Sequence, residues 1–186
     1  AHIERQKRIA PRMLNPEGDL VKSLLNKFSF QLTNAQKRVW LEIANDMSKT
    51  FPMNRLLQGD VGSGKTAVAA LAAAYAINNG YQVALMAPTE ILAEQHYLKF
   101  LPWFEELNIE ITWLTGSLKS KDKKIAQEKI RSGHTQLAIG THALIQDEIE
   151  FANLGLAIID EQHRFGVRQR LQLHNHPGSE NFFSHQ

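Results

Sequence analysis

Residues 59–66 read Gly59-Asp60-Val61-Gly62-Ser63-Gly64-Lys65-Thr66, a complete Gly-x-x-x-x-Gly-Lys-Thr phosphate-binding loop. The loop follows the apolar pair Leu56-Leu57 and precedes an alanine-rich stretch over 67–76, so a strand, a loop and a helix follow one another as the motif requires. Backbone N–H groups in such a loop surround phosphate oxygens at the positive end of the helix. Lys65 is expected to reach the β- and γ-phosphates, and the Thr66 hydroxyl to ligate Mg²⁺. The whole stretch therefore predicts a site for a nucleoside triphosphate.

The sequence around this loop alternates between apolar runs and helical patterns. Two short helices are expected before the loop, the second of them capped by Thr33. The helix predicted over 90–107 is expected to be interrupted near Pro102. Strands separated by helices form βαβ units, so we predict an α/β fold in three layers, a parallel sheet covered on both faces. The strands are predicted at 55–58, 82–87, 110–114, 136–139 and 155–159, and the helices after the loop at 65–78, 90–107, 121–131 and 143–146.

Length and composition are those of one domain with flanking segments. The chain has 186 residues, of which 43% are hydrophobic, and a formal net charge of +2. We assign 17–170 to the nucleotide-binding domain, 1–16 to a linker or the end of a preceding domain, and 171–186 to a polar tail. There is no cysteine, no apolar run long enough to span a bilayer and no signal peptide. We expect a cytoplasmic protein without a membrane partner, and nothing in the sequence indicates a homo-oligomer.

An acidic motif follows the last predicted strand. The apolar run over 156–159 leads directly into Asp160 and Glu161, at the edge of a parallel sheet where ligands bind. Asp160 is the candidate to hold Mg²⁺ through water, and Glu161 the candidate to orient or deprotonate the water that attacks the γ-phosphate. A pair of solvated carboxylates is the simpler alternative, but it does not explain the phosphate-binding loop upstream. Gln162 and His163 complete the tetrapeptide and are candidates to sense the γ-phosphate.

These motifs resemble those of the superfamily 2 helicases, and among them the RecG family of branched-DNA helicases. The resemblance covers about 30–170 and implies the first RecA-like lobe of a motor that uses ATP and Mg²⁺. The run Asp-Glu-Gln-His-Arg-Phe-Gly-Val over 160–167 resembles RecG more closely than the transcription-repair coupling factor. In this family the stretch 32–36 recognises adenine, which implies that Gln36 reads the base of ATP. The resemblance also implies catalytic roles for Lys65, Asp160 and Glu161.

Further stretches resemble the elements with which this family follows a DNA strand. Residues 87–96 match its motif Ia, a helix start whose N–H groups and threonine hydroxyl suit a DNA phosphate. Two short threonine-containing turns follow the next two strands. Phe165 with its neighbouring arginines suits stacking and charge contacts with DNA, although a core phenylalanine with solvated arginines is the alternative. The implied nucleic-acid contacts are Pro88, Thr89, Glu90, Thr115, Gly116, Thr141, His142, Arg164, Phe165 and Arg168.

The resemblance implies an enzyme, the ATP-binding motor lobe of a DNA helicase that remodels branched DNA such as replication forks and Holliday junctions. Such a motor needs a second RecA-like lobe with transition-state arginines, worth ~10³ or more in turnover, and a wedge domain that holds the junction. We recognise neither in this sequence, so we expect part of a longer helicase with little hydrolysis alone. The alternatives are a non-catalytic, nucleotide-dependent DNA-binding module and an unrelated P-loop phosphotransferase or small GTPase, which the missing Asn-Lys-x-Asp motif disfavours.

Overall fold

The computed structural model describes residues 9–10, 18–49, 51–52, 55–59, 61, 64–162, 172–174 and 179–180. The helices in this part of the chain are α1 (Asp19–Lys27), α2 (Asn34–Met47), α3 (Thr66–Asn78), α4 (Glu90–Glu105), α5 (Ser120–Arg131) and α6 (His142–Glu148). The strands are β1 (Ile9–Ala10), β2 (Phe51–Pro52), β3 (Arg55–Gly59), β4 (Gln82–Ala87), β5 (Ile111–Trp113), β6 (Leu137–Thr141), β7 (Leu154–Asp160), β8 (Gln172–His174) and β9 (Ser179–Glu180). Every predicted strand and helix is present, with ends that differ from the predictions by a few residues.

Seven strands form one sheet in the order β5-β6-β4-β7-β3-β8-β9. The first five strands are parallel to their neighbours, which confirms the predicted α/β fold. β8 and β9 extend the sheet beyond β3 in the antiparallel direction, and β1 and β2 form a separate antiparallel pair. We did not predict these four strands, because strands of two or three residues are too short to show an alternating pattern. The strand order brings β3 and β7 side by side.

Helices cover both faces of the sheet. On one face α3 and α4 pack against the strands, and α1 and α2 pack on α3. On the other face lie α5 and α6. β4 is buried along its whole length, with Val83 and Leu85 in the first core cluster and Ala84 and Met86 in the second. Because successive side chains of a strand point to opposite faces, this division confirms the predicted three layers.

α3 fixes the position of the end of the phosphate-binding loop. Every residue from 67 to 77 is buried, and most of them are alanine or another small side chain, so α1 and α2 approach the helix closely. The two residues that the motif assigns to phosphate and metal, Lys65 and Thr66, are the N-cap and the first residue of this helix.

Although α3 is apolar throughout, no helix among the residues that the structure describes has both the length and the apolar character of a membrane span.

The predicted interruption of the helix at Pro102 is wrong, because α4 continues through this residue to Glu105. Proline lacks the N–H that would bind the carbonyl of Leu98 one turn earlier. Both side chains are exposed to solvent, so water can satisfy that carbonyl. The opposite side of the helix is held by the buried Phe100 and Phe104, which keep it in place across the proline.

Gln82, the first residue of β4, is a buried polar residue that connects three segments. Its side-chain amide donates to the carbonyls of Ile130 at 2.9 Å and Thr135 at 2.7 Å. Its amide oxygen accepts from the N–H of Asn153 at 2.8 Å. These bonds attach the end of α5 and the start of β7 to the middle of the sheet, so Gln82 stabilises the frame on which the site is built.

We predict that Gln82→Leu lowers the free energy of unfolding by about 2 kcal/mol, because two carbonyls and one N–H lose their partner inside the protein. For a protein of this size that corresponds to a melting temperature lower by roughly 4–8 °C. Thermal unfolding followed by circular dichroism measures the effect. Gln31→Leu, at an exposed position, is the matched control, and equal melting temperatures for the two variants would contradict the prediction.

Candidate functional site

The phosphate-binding loop and the acidic motif meet because β3 and β7 are neighbouring parallel strands. Gly59, the last residue of β3, pairs with Asp160, the last residue of β7. One residue further along, the N–H of Glu161 donates to the carbonyl of Gly59 at 2.7 Å. The carboxyl ends of parallel strands lie at one edge of the sheet. Two motifs that are far apart in the sequence therefore form one site.

The carboxylate of Asp160 is buried and accepts four hydrogen bonds from residues that the structure describes. Oδ1 accepts from the backbone N–H of Val61 at 3.3 Å and from the N–H of Gln162 at 3.0 Å. Oδ2 accepts from the side-chain amide of Gln162 at 3.1 Å and bonds to Nε2 of His96 at 2.7 Å. An ionised carboxylate has about four acceptor positions and no proton to donate, so Nε2 of His96 carries the proton of this bond. The four donors stabilise the negative charge of Asp160, a residue with only 2% of its surface exposed to solvent.

Glu161 lies at the border of the site and is partly exposed. Its Oε2 accepts a hydrogen bond from the side-chain amide of Gln58, the residue before Gly59 on β3. Its other oxygen, Oε1, has no donor within the described residues. Gln58 thus orients the carboxylate through one oxygen. With respect to the described residues, the second oxygen is left for a water molecule, which is the arrangement that a residue positioning an attacking water requires.

Thr66 and Asp160, the two predicted metal residues, both bond to Val61 of the loop. The Thr66 hydroxyl donates to the Val61 carbonyl at 3.1 Å, while the Val61 N–H donates to Asp160. Hydroxyl and carboxylate oxygens are the hard donors that Mg²⁺ prefers, and Mg²⁺ keeps several waters besides one or two protein groups. These residues therefore fit Mg²⁺. Because the acceptor positions of Asp160 are filled, a metal-bound water would replace one donor, and the side-chain amide of Gln162 is the donor that can rotate away.

Gln36, the predicted adenine-reading residue, is fixed at both ends of its amide. Its Oε1 accepts from the N–H of Thr33 at 2.8 Å, and its backbone N–H donates to the Thr33 hydroxyl, which together form a capping box at the start of α2. Its Nε2 donates to the carbonyl of Gly64 in the phosphate-binding loop at 2.6 Å. Among the residues that the structure describes, one N–H and one lone pair of the amide have no partner, and this pair suits the edge of a base. The structure thus confirms Thr33 as the N-cap and attaches the stretch that is predicted to read adenine to the loop.

Two glycines of the loop have backbone angles that explain why glycine is needed there. Gly59 has a φ of 146° and Gly64 a φ of 81°. Residues with a β-carbon rarely adopt these angles. Gly59 is the point where β3 turns into the loop, and Gly64 is the point where the loop turns into α3.

Among the described residues, the predicted DNA contacts next to α4 and α6 lie at the same edge of the sheet, at the starts of these two helices. Thr89 caps α4 through the N–H of Leu92 at 3.2 Å, and Thr141 caps α6 through the N–H of Leu144 at 3.3 Å. In the described part of the chain, the hydroxyl proton of Thr89 has no acceptor. Pro88 and His142, the residues next to these caps, are exposed. This edge therefore presents hydroxyl and backbone donors of the kind that contact a phosphate backbone.

Glu90 makes a contact that its assignment to DNA did not include. Its Oε1 accepts from the backbone N–H of Gly116 at 3.1 Å, which connects the start of α4 to the loop after β5. In that loop, the Thr115 hydroxyl bonds to that of Ser117 at 3.1 Å. A phosphate reaches the N–H of Gly116 only by displacing Glu90, and two negative groups repel each other. The geometry favours a role for Glu90 in orienting this loop.

Several predicted site residues lie outside the described residues, and their assignments stay predictions. They are Asp60, Gly62 and Ser63 of the loop, His163 of the acidic motif, and Arg164, Phe165 and Arg168.

Two site residues were missed by the sequence reasoning, Gln58 and His96. Gln58 is a polar residue inside a buried central strand directly before the loop, and this position was the available signal. His96 is the polar member of the buried stripe of α4, whose other members are Ala93, Phe100 and Phe104. A histidine within such an apolar stripe needs a hydrogen-bonding partner, but the sequence alone does not identify Asp160 as that partner.

Comparison with known proteins shows the family of the chain. The sequence model of the DEAD/DEAH box helicase family matches residues 33–178. The matched range begins at the cap of α2 and includes the phosphate-binding loop and the acidic motif. The chain therefore belongs to the DEAD/DEAH box helicase family.

Within this class the chain is similar to the ATP-dependent DNA helicase RecG. It is 56% identical to RecG of Haemophilus influenzae over 173 residues and 52% identical to RecG of Bacillus subtilis over 175 residues. These matches cover 93% and 94% of this chain and 25% of each relative, so the chain spans about a quarter of their length. A solved structure of RecG bound to a three-way DNA junction matches with a TM-score of 0.72 and 46% identity, over 92% of this chain and 22% of that one. The predicted resemblance to RecG is confirmed.

Proposed function

We propose that the chain is the ATP-binding motor lobe of a DNA helicase that remodels branched DNA. The observation that carries the proposal is the hydrogen bond between Asp160 and the Val61 N–H, which joins the acidic motif to the phosphate-binding loop. The similarity to RecG supports DNA as the partner. The RecG structure with a three-way junction supports a branched DNA. In this proposal the chain works with a second RecA-like lobe and a wedge domain of a longer protein.

In the proposed nucleotide site, each part of ATP has its own protein group. The free N–H and lone pair of Gln36 bind adenine. The bond from Gln36 to the Gly64 carbonyl fixes the position of the base-binding residue relative to the loop that binds the phosphates. Backbone N–H groups of the loop and the Lys65 ammonium hold the phosphates. Thr66 and Asp160 would hold Mg²⁺, which when bound neutralises charge on the β- and γ-phosphates.

Glu161 is the proposed catalytic base or water-orienting group. Gln58 holds one carboxylate oxygen, so the other points in a fixed direction toward the attacking water. Gln162 and His163 follow in the chain, and we propose that they respond to the γ-phosphate. For Gln162 this response has a structural basis, since its amide bonds to Asp160 and is released when Asp160 takes a metal-bound water.

The DNA strand is proposed to run along the carboxyl edge of the sheet, past Pro88 and Thr89 at α4, Thr115 and Gly116 after β5, and Thr141 and His142 at α6. Hydroxyl groups at this edge, and backbone donors other than the Gly116 N–H that Glu90 occupies, contact phosphates independently of sequence. Arg164, Phe165 and Arg168 follow the acidic motif directly and are proposed to add charge and stacking. Closing of the two lobes on ATP would then move the strand.

Binding of Mg²⁺ and a fluorescent ATP analogue to the purified chain tests the nucleotide site. We predict that Lys65→Ala raises the dissociation constant roughly 30- to 150-fold, because a hydrogen bond to a charged group contributes about 2–3 kcal/mol. Lys22→Ala, on the exposed side of α1, is the matched control and is expected to leave the constant unchanged. Competition by GTP as strong as by ATP would contradict the adenine role of Gln36 and favour a GTPase or phosphotransferase.

A further inference from the structure

His96 joins the nucleotide side of the site to the helix that starts at the predicted DNA edge. It lies on α4, two turns after Thr89, and its Nε2 donates to Oδ2 of Asp160 at 2.7 Å. Both side chains are buried, with exposed fractions of 6% for His96 and 0% for Asp160. A buried polar group needs a partner that an apolar side chain does not. The bond to Asp160 meets this need and suggests a role beyond packing.

The four donors to Asp160 come from two different places. Val61 and Gln162 each lie two residues after the end of a strand, β3 and β7, and these two strands are hydrogen-bonded neighbours. His96 is the donor from a separate element, so a single charge-assisted bond attaches α4 to the carboxylate. Hydrogen bonds weaken steeply with poor geometry. A small displacement of α4 against β7 therefore changes the set of donors around Asp160.

The N-terminal end of α4 lies at the predicted DNA contacts. Thr89 caps the helix, and Glu90 accepts from the Gly116 N–H of the neighbouring loop at 3.1 Å. His96 is about 10 Å along the helix axis from Thr89, at 1.5 Å per residue. The helix is continuous between these points, so it carries a displacement at Thr89 to His96.

We propose that His96 is a positioning residue that couples DNA occupancy at the start of α4 to the orientation of Asp160. The inference rests on the proposed function, since it takes Thr89 as a DNA contact and Asp160 as a nucleotide-side group. A phosphate bound at Thr89 shifts α4, and His96 shifts with the helix. The bond from His96 to Oδ2 of Asp160 then changes, and so does the lone pair that the carboxylate presents to the nucleotide side of the site. Such coupling is reciprocal for binding. Bound DNA changes the affinity for nucleotide by some factor, and bound nucleotide changes the affinity for DNA by the same factor.

The test measures this factor by binding, without hydrolysis, in the full-length protein that contains the chain. The dissociation constant of a labelled three-way junction is measured with and without Mg²⁺ and a non-hydrolysable ATP analogue. We expect a ratio of about tenfold in the unsubstituted protein, within the usual range of allosteric coupling. His96→Gln is expected to keep the tenfold ratio, because the amide nitrogen of glutamine reaches the position that Nε2 of His96 occupies. His96→Asn carries the same amide one methylene shorter and is expected to bring the ratio to within about twofold of one.

The matched amides separate coupling from stability. Both replace a buried ring by a smaller amide, and His96→Asn also loses the bond to Asp160, so it is expected to melt roughly 2–4 °C below His96→Gln. Both ratios are measured well below either melting temperature, so a difference between them reports the bond to Asp160 and not unfolding. Equal ratios in the two variants would overturn the inference, as would an unchanged ratio in His96→Asn. If junction affinity does not depend on nucleotide even in the unsubstituted protein, the proposed function itself fails.

Discussion

Replacing Glu161 by glutamine is expected to lower the rate of ATP hydrolysis roughly 10²- to 10⁴-fold, the usual contribution of a positioned base. An amide cannot accept the proton of the attacking water. Its oxygen can still accept the bond from Gln58, so the local structure and the binding of MgATP are expected to persist. Single-turnover hydrolysis in the full-length protein, in the presence of DNA, measures the effect on the chemical step.

The matched control for this substitution is Glu150→Gln, which removes the same charge at an exposed position away from the site. It is expected to hydrolyse ATP at the unsubstituted rate. A Glu161→Gln variant that retains its rate within about threefold would exclude Glu161 as the base, since proton transfer by a side chain normally contributes at least about 10².

Replacing Asp160 by alanine is expected to lower both stability and nucleotide binding. The substitution leaves the donors of Val61, Gln162 and His96 without their acceptor in a buried place. At about 1 kcal/mol for each of the four bonds the loss is about 4 kcal/mol, which lowers the melting temperature by roughly 8–16 °C. Binding of the fluorescent ATP analogue should also lose its dependence on Mg²⁺.

Thermal unfolding and a Mg²⁺ titration of nucleotide binding measure the two effects. Asp147→Ala, on the exposed side of α6, is the matched control for loss of a carboxylate. If the Asp160→Ala variant melted like this control, the four hydrogen bonds would not stabilise the fold as described. If its nucleotide binding still required Mg²⁺ to the same extent, Asp160 would not be a metal residue.

The parallel core of the fold could be predicted from the sequence because each of its strands is a compact apolar run between helical patterns. The phosphate-binding loop and the acidic motif could be predicted to meet, since both follow strands of a parallel sheet. The strand order β5-β6-β4-β7-β3 could not be derived in this way, because apolar runs do not reveal which strands are neighbours. The continuation of α4 through Pro102 depends on packing of Phe100 and Phe104, which a local rule for proline does not include.

The residues that support the site were harder to find than the residues of the motifs. Gln58 and His96 carry no spacing signature, and each acts through a partner that only the folded chain brings near. His96 reaches Asp160 because α4 packs on β4, β5 and β6, and β4 is the neighbour of β7 in the sheet. Gln58 reaches Glu161 because β3 and β7 run in register. Glu90 was assigned to DNA from its place in a motif, whereas its bond to Gly116 depends on a loop after a different strand.

The measurement that tests the central claim most directly is the rate of ATP hydrolysis by the full-length protein with and without three-way junction DNA, for the unsubstituted protein and for Lys65→Ala. The proposed motor predicts that the junction raises the rate in the unsubstituted protein and that Lys65→Ala shows no stimulation. Stimulation that survives Lys65→Ala would contradict the assignment of this site as the motor. Junction binding that depends on nucleotide, without any hydrolysis, would show a binding module instead of a helicase.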